Sequence, residues 1–463
     1  MGLTDDAVDP VRFVDERLGA SSLARRALRY VFPEHWSFLL GEVALYSFAF
    51  LVLSGTYLAF FFSPDIEPHQ TYAGPFRELV GFSVTPAYDS VLRLSSTVPA
   101  GLMVRQAHHW AALVFVVAMV AHLARTFFTA AFRKPREVIW MFGVLLLGVG
   151  VFEGFAGYSL PDDLLSGMGL GIAYSVALAV PLLGGALGAL LWGGEYPGSG
   201  VIESRLYIAH VFVVPAIMAL LIVLHLALVA RHHHTQFPGP GRRERNTVGN
   251  PMWPGYALRS LGLMLLVFAV LVGLGGLVQI NPIWQWGPYE INRATNGAQP
   301  DWYLGWLIGG LRIMPPLEIR VWGKTLVPNP FWGGALFPTV VFAYLMAHPW
   351  IESRLTRDRA PHHLLDRPRD HPWRTAFGAA FLTWVGSIFF AGSSDRLFYQ
   401  VGIDYEAQVH VYRVLVVVLP IVVFVATKAV CDELRRTRAA PALGGPPTVV
   451  RRRPDNAFEE LRE

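Results

Sequence analysis

Long apolar runs alternate with short polar segments rich in glycine, proline and charge. Eight runs cover residues 38–60, 109–130, 138–157, 205–230, 257–280, 333–348, 376–392 and 410–431. Most approach the roughly 20 residues that a helix needs to cross a hydrocarbon core. A ninth stretch, 170–192, is as apolar but is broken by Pro181, Gly184, Gly185 and Gly188. Hydropathy alone leaves its fate open.

Charge sorting decides it. Cytoplasmic segments collect Lys and Arg. With eight spanning helices and the N-terminus inside, 28 of the 38 Lys and Arg fall on the cytoplasmic side and 10 on the other. A ninth span would scramble this sorting. Residues 170–192 are therefore expected as a hairpin on the outer surface, within 158–204. The chain is read as an all-α membrane protein with both termini cytoplasmic. Residues 1–37 form a cytoplasmic or interfacial segment, and 38–255 a first half of four helices. Residues 256–434 form a second half of four helices, and 435–463 a cytoplasmic tail. The amphipathic stretch 11–31 is expected on the cytoplasmic interface, with Trp36 in the aromatic belt; a disordered tail is the alternative. The Arg- and Pro-rich 436–463 is expected to be disordered.

Composition agrees. The chain of 463 residues is 53% hydrophobic and 16% charged, against about 25% charged in soluble domains. The charged N-terminus lacks the apolar core of a signal peptide, so none is expected. Cys431 is the only cysteine. It excludes an intramolecular disulfide, a cysteine-ligated iron–sulfur cluster and a C-x-x-C-H haem attachment. The isoelectric point near 9.2 does not imply nucleic acid, because no soluble basic domain is visible; membrane lipid is the expected surrounding.

Histidines carry the chemistry. Ionisable residues at membrane depth are costly and mark function. The second apolar run holds His108 and His122, 14 apart, and the fourth holds His210 and His225, 15 apart. At about 100° and about 1.5 Å per residue, each pair returns to nearly one face after roughly 21–23 Å. Both helices run from outside to inside, so His108 faces His210 at the outer level and His122 faces His225 at the inner. Two opposed pairs stacked across the bilayer suit bis-histidine ligation of two haem irons, and b-type haem needs no cysteine. A lone histidine would read as packing; four at matched depths do not. His109 lies about 100° off the ligand face and is read as a packing residue. Gly41 and Gly55 on the first helix, and Gly143 and Gly157 on the third, repeat the 14-residue spacing. They fall at the same two levels, where a porphyrin edge needs bare backbone. Small-residue packing is the alternative. Arg105 and Arg125, three residues outside the outer and inner ligands, are candidate partners for propionates; Arg125 also reads as a topogenic charge.

At these residues the chain resembles the cytochrome b subunit of cytochrome bc complexes. The resemblance spans about residues 30–430. It rests on the paired histidines, the four glycines, GYSLP at 157–161 and PDWY at 300–303. Trp192-Gly193-Gly194 and Arg205 resemble the segment that packs on the quinol site. The HHW and HTQFPGPG segments, and the aspartate of PDWY, resemble the actinobacterial branch. The resemblance implies a quinol–cytochrome c reductase in a bacterial cell membrane. His108 and His210 would hold a low-potential haem, and His122 and His225 a high-potential one. Quinol, in this branch menaquinol, would be oxidised at the outer site. One electron would go to a Rieske iron–sulfur subunit and on to a cytochrome c-type subunit, the other through the haems to an inner quinone. A homodimeric complex and association with a terminal oxidase are implied too.

Asp301 is then the expected proton acceptor, with Tyr303 and Tyr158 lining its pocket; a solvated loop acid and interface-belt tyrosines are the alternatives. For the inner site, His232, His233 and His234 are candidates for proton uptake; an ordinary polar loop is the alternative. Ser260 aligns where mitochondrial members carry an aspartate, which leaves the proton donors there open. No cysteine stands on the first helix, so both haems are expected to be non-covalent. A dihaem carrier of another membrane oxidoreductase would share the ligands without needing PDWY. A non-redox transporter would place ionisable residues at midplane, in inverted repeats, and none is seen.

Overall fold

The computed structural model describes residues 17, 19, 21–22, 24, 28–198, 200–294, 300–393, 402–437, 448–452 and 458–462. Most of the 11–31 stretch lies outside these residues. Among them, eight helices are long and apolar enough to cross a membrane: α1 Trp36–Ala59, α2 Gly101–Phe128, α3 Glu137–Tyr158, α4 Val201–His232, α5 Met252–Leu277, α6 Phe331–Thr356, α7 Pro372–Gly392 and α8 Tyr405–Arg436. Several outrun the apolar stretches that announce them. α2, for example, begins at Gly101 and carries Arg105, Gln106 and His108 on its first turns, because polar residues continue a helix once its apolar part has nucleated it.

The 170–192 stretch is two short helices, Leu164–Leu178 of 15 residues and Gly184–Trp192 of 9. Neither matches the roughly 20 residues of a span. Asp163 starts the first by accepting from the backbone N–H of Ser166 at 3.2 Å. Between the two helices lie Pro181 and Leu182, the latter at φ 64°. Trp192 buries itself with Ala156, Leu170, Ile202 and Leu206, so the hairpin packs across the ends of α3 and α4.

α4 departs from regular geometry where it matters. Residues Ala209–Val213 form a π-turn that contains His210. Pro215 follows; it has no N–H for the carbonyl four residues back, and its ring would crowd that carbonyl. A π-turn absorbs one extra residue. The 15-residue interval from His210 to His225 therefore acts as 14, matching the interval on α2.

α2 also anchors the connection that leaves α5. Gln106 Nε2 donates to the carbonyl of Gly275 at 3.0 Å, and its Oε1 accepts from Ile280 N–H at 3.0 Å. Trp110 Nε1 donates to the Val278 carbonyl at 2.9 Å. Gly275 packs against the backbone of Ala107, where a Cβ would overlap it. Midway along the bundle, Ala44, Phe115, Val116, Ala118, Leu147, Val214 and Met218 form a buried apolar core.

At the end of the bundle carrying His122, charged residues lock the two halves together. Arg136 donates to the carbonyls of His362 (2.6 Å) and His232 (2.7 Å), joining the segments after α6 and α4. Asp366 accepts from Arg133 at 2.8 Å and from Arg374 at 2.7 Å; Arg374 also reaches Glu352 at 2.6 Å. In the tail, Thr448–Arg452 and Phe458–Arg462 pair as antiparallel strands. TVV in the first strand favours extended backbone; most of 436–463 lies outside the described residues.

Candidate functional site

Two cavities open on the bundle, one at each histidine level. The first, about 250 Å³, is lined by His108, His210, Gly55, Gly157, Arg105, His109, Tyr158, Asp301 and Tyr303. The second, about 610 Å³, is lined by His122, His225, Gly41, Gly143, Arg125, His234, Glu42, Tyr46, Tyr256 and Ser260. Phe115 lines both, as the partition between them.

Within each level the rings oppose one another. His108 and His210 have centroids 6.1 Å apart, and His122 and His225 6.5 Å. Two metal–nitrogen bonds of about 2 Å end to end, plus the ring radii, give about 6 Å. Every glycine of the 14-residue pattern stands against one histidine. A Cβ on Gly55 would lie 3.1 Å from His108 Cε1, on Gly41 3.2 Å from His122, on Gly143 3.9 Å from His225, and on Gly157 it would overlap His210. Bare backbone against each imidazole is the cradle a flat macrocycle edge requires.

The surroundings also suit an anionic, metal-centred group. Arg125 Nε and Nη2, Arg105 Nε, and Nδ1 of both His122 and His225 are buried without hydrogen-bond partners among the described residues. A buried guanidinium left unpaired is costly, and a carboxylate-bearing ligand would relieve it. Arg105 also donates from both Nη atoms to the Asn281 carbonyl at 3.2 Å. At the first level the outer ring nitrogens are held: Ser54 Oγ lies 2.9 Å from His108 Nδ1, and Glu153 Oε1 3.0 Å from His210 Nδ1. Such partners fix ring orientation for a metal ligand. Sequence reasoning did not pick out Ser54 and Glu153. Each lies within four residues of a pattern glycine, which was the available signal.

Asp301 is not a solvated loop acid. Its Oδ1 accepts from His109 Nε2 at 2.7 Å, and its Oδ2 from Tyr303 OH at 2.9 Å. Tyr303 is 2% exposed. Burial, then the adjacent Asp301 carboxylate, push its phenol well above the ordinary range, so it stays a donor. Tyr158 lines the same cavity. His109, read from the sequence as packing, is thus a partner of the candidate base. The 100° that removes it from the ligand face turns it toward the α5–α6 connection, and nothing in one helix's pattern reveals a partner 192 positions away. Trp192 stays in the hairpin, and Arg205, on the first turns of α4, donates to the Leu191 carbonyl there at 3.1 Å.

At the second level, His233 and His234 line the cavity and His232 does not. Burial, followed by the charges of Arg125 and Arg136, pushes His234 down to about 4, so it is neutral at pH 7. Ser260 is there, donating to Glu42 Oε2 at 2.6 Å.

Residues 113–288 match the family described as "Cytochrome b(N-terminal)/b6/petB". Over 452 residues the chain is 45% identical to the "Cytochrome bc1 complex cytochrome b subunit" of Streptomyces coelicolor and to that of Mycobacterium tuberculosis, covering 97% of this chain and 82% of each relative. The Corynebacterium diphtheriae protein of the same description is 43% identical, with 97% and 83% covered. Among solved structures, a chain of a "Hyperthermophilic respiratory Complex III" superposes with a TM-score of 0.67 at 20% identity, over 91% of this chain and 99% of that one. At that identity the likeness is one of fold.

Proposed function

Since the chain belongs to the family of cytochrome b subunits of bc1 complexes, related most visibly to actinobacterial members, we propose that it oxidises menaquinol at the His108 level and returns one electron of each pair to a quinone at the His122 level. The observation that carries this reading is the repeated unit: two opposed histidines, two facing glycines and a neighbouring acid-bearing cavity, once at each end of one bundle. The family implies b-type haem, and the reading assigns two, both non-covalent. His108 and His210 would hold one, His122 and His225 the other. Bound there, they supply one-electron transfer along the bundle.

The chain's residues supply the rest. Asp301 accepts a proton from the quinol hydroxyl. Tyr303 keeps the carboxylate oriented, and His109 shares the incoming proton across its 2.7 Å contact. A carboxylate with a titratable imidazole behind it can pass the proton on and recover its charge for the next turnover. Arg105 and Arg125 would pair with the carboxylates of the bound groups. Phe115 and its apolar neighbours keep water from joining the two cavities. In this reading the His108 end is outside, and both termini are cytoplasmic in a bacterial cell membrane. The second electron leaves to a Rieske subunit and then a cytochrome c-type subunit, within a homodimeric complex.

The test is optical. Purified protein should show a reduced-minus-oxidised b-type spectrum developed by menaquinol, with two haems per chain by pyridine haemochrome and none retained on the polypeptide after acid–acetone extraction. One haem or none, or reduction by dithionite but never by quinol, would overturn it.

A further inference from the structure

Glu42 sits on α1 one residue beyond Gly41, the glycine that stands against His122. Its carboxylate lines the second cavity and is held by three hydroxyls. Tyr256 OH donates to Oε1 at 2.6 Å; Ser260 Oγ donates to Oε2 at 2.6 Å, and Tyr46 OH to Oε2 at 3.2 Å. The Tyr46 and Ser260 hydroxyls also touch each other. All four residues fall on two facing turns, Glu42 and Tyr46 four apart on α1, and Tyr256 and Ser260 four apart on α5.

An acid at membrane depth needs a reason, and here it is not cation pairing. The nearest guanidinium on α5, Arg259, engages Glu34 instead. Asp366 shows the contrast: Arg133 and Arg374 pin it as an anion. A carboxyl held only by neutral hydroxyls can exist in either protonation state, because each hydroxyl can turn from donor to acceptor. Ser260 and Tyr46 therefore form a relay with two directions open. The rim of the same cavity carries the charged Glu34 and Arg259, 53% and 67% exposed, groups that would hold water at its mouth.

We propose that Glu42, through the hydroxyls of Ser260 and Tyr46, is the acid that protonates quinone in the His122-level cavity. The inference rests on the quinone-reducing role assigned to that cavity above. The balance is simple. Quinone gains two protons and two electrons, the electrons supplied one at a time by the one-electron group that His122 and His225 would hold. Glu42 gives one proton to a carbonyl oxygen through Ser260 and is reprotonated from water at the rim. The second carbonyl takes its proton from water entering by the same mouth.

The experiment uses the assembled complex, pre-reduced by menaquinol, with added menaquinone as oxidant. Haem re-oxidation is followed by stopped flow, and carboxyl protonation by redox-difference infrared spectroscopy. Glu42→Gln keeps the shape and both haem spectra but removes the acid. Re-oxidation should slow by about 10²-fold, the scale of general-acid help, while outer-site reduction of the haems keeps its rate. A carboxyl band present in the wild type should vanish. Adding Ser260→Asp to Glu42→Gln puts a carboxyl where Ser260 Oγ lay, 2.6 Å from the lost oxygen, and should restore most of the rate. Wild-type re-oxidation in Glu42→Gln, or an unchanged infrared band, overturns the proposal. If Glu42→Gln fails to assemble, Tyr46→Phe with Ser260→Ala takes its place: slowing supports the relay, and a wild-type rate overturns it. Wild-type haems that menaquinone cannot re-oxidise at all would instead remove the functional reading beneath it.

Discussion

Replacing Asp301 by asparagine tests the outer site most directly. The side chain keeps its size, and its amide oxygen can still accept one of the two hydrogen bonds. The other donor then faces an NH₂ group. Asp301 now holds donors at 2.7 Å from His109 and 2.9 Å from Tyr303, so the variant loses both a charge and one satisfied contact. General-base help is worth about 10²–10⁴-fold, or roughly 3–5 kcal/mol in the barrier. The lower end is expected. Once the carboxylate is gone, His109 stays in the cavity with a lone pair that a proton can reach, so it recovers part of the loss. Asp301→Asn with His109→Gln removes that fallback and should approach the upper end. Asp301→Glu should be mild. The assay is steady-state menaquinol oxidation by the purified complex, with haem spectra to certify assembly. Wild-type turnover in Asp301→Asn from about pH 5 to about pH 8, spanning the usual range of catalytic bases, would show the carboxylate to be a bystander. A double variant no slower than the single one would remove His109 from the pathway.

Three further outcomes follow from the geometry. Gly157→Ala, whose methyl would overlap His210, should cost the outer haem, whereas Gly143→Ala, with 3.9 Å to His225 Cε1, should retain the inner one; equal haem contents by pyridine haemochrome would refute the cradle. Asp366→Asn leaves Arg133 and Arg374 without their shared carboxylate, though Arg374 keeps Glu352, and should cost about 1–3 kcal/mol, read as earlier unfolding in denaturant; an unchanged midpoint would count against the latch. Asp162 is pushed up to about 7, chiefly by burial and then, against its Thr85 hydrogen bond, by the charges of Glu203 and Asp163. A raised carboxyl favours the folded state fully below its unfolded pKa of about 3.9 and loses that advantage as pH rises through the folded value. Thermal stability should therefore fall between about pH 4 and 7, and Asp162→Asn should flatten that decline; an identical slope in the variant would refute the assignment.

The helices were legible because lipid imposes a periodic demand on a chain, and the two histidine pairs because helical spacing brings their rings opposite one another. Charge sorting could separate the hairpin from a span: its first helix stops at Leu178, before Pro181, and its second runs only from Gly184 to Trp192, ending at the left-handed Gly193. What the sequence hid lies between elements. The intervals of 14 and 15 residues look unequal, and only the π-turn at Ala209–Val213 makes them equivalent. Tyr46, Tyr256 and Ser260 each read as ordinary residues of apolar helices; their meaning comes from sharing Glu42. His109 reads from the sequence as packing because of its angle on α2, and its partner across the bundle, Asp301, is invisible there.

These omissions share a cause. A helix turns about 100° per residue, so adjacent residues cannot serve the same face. At the first level His108 faces His210 while His109 faces Asp301. At the second, Gly41 stands against His122 while Glu42 faces the hydroxyls of α5. In both places, on the function proposed above, one residue belongs to the metal-ligand face and its neighbour to an acid–donor cluster. Electron transfer needs a rigid, dry contact with the macrocycle; proton transfer needs groups that can change hands and reach water. Crowding both onto one face would bring a changing charge against the ligands and shift the affinity of the site with every turnover. A single step along the helix separates the two by a third of a turn while keeping them within one cavity. On this argument the neighbour of each residue in contact with the ligand sphere is the place to look for proton chemistry, and a periodicity search that keeps only one face discards it.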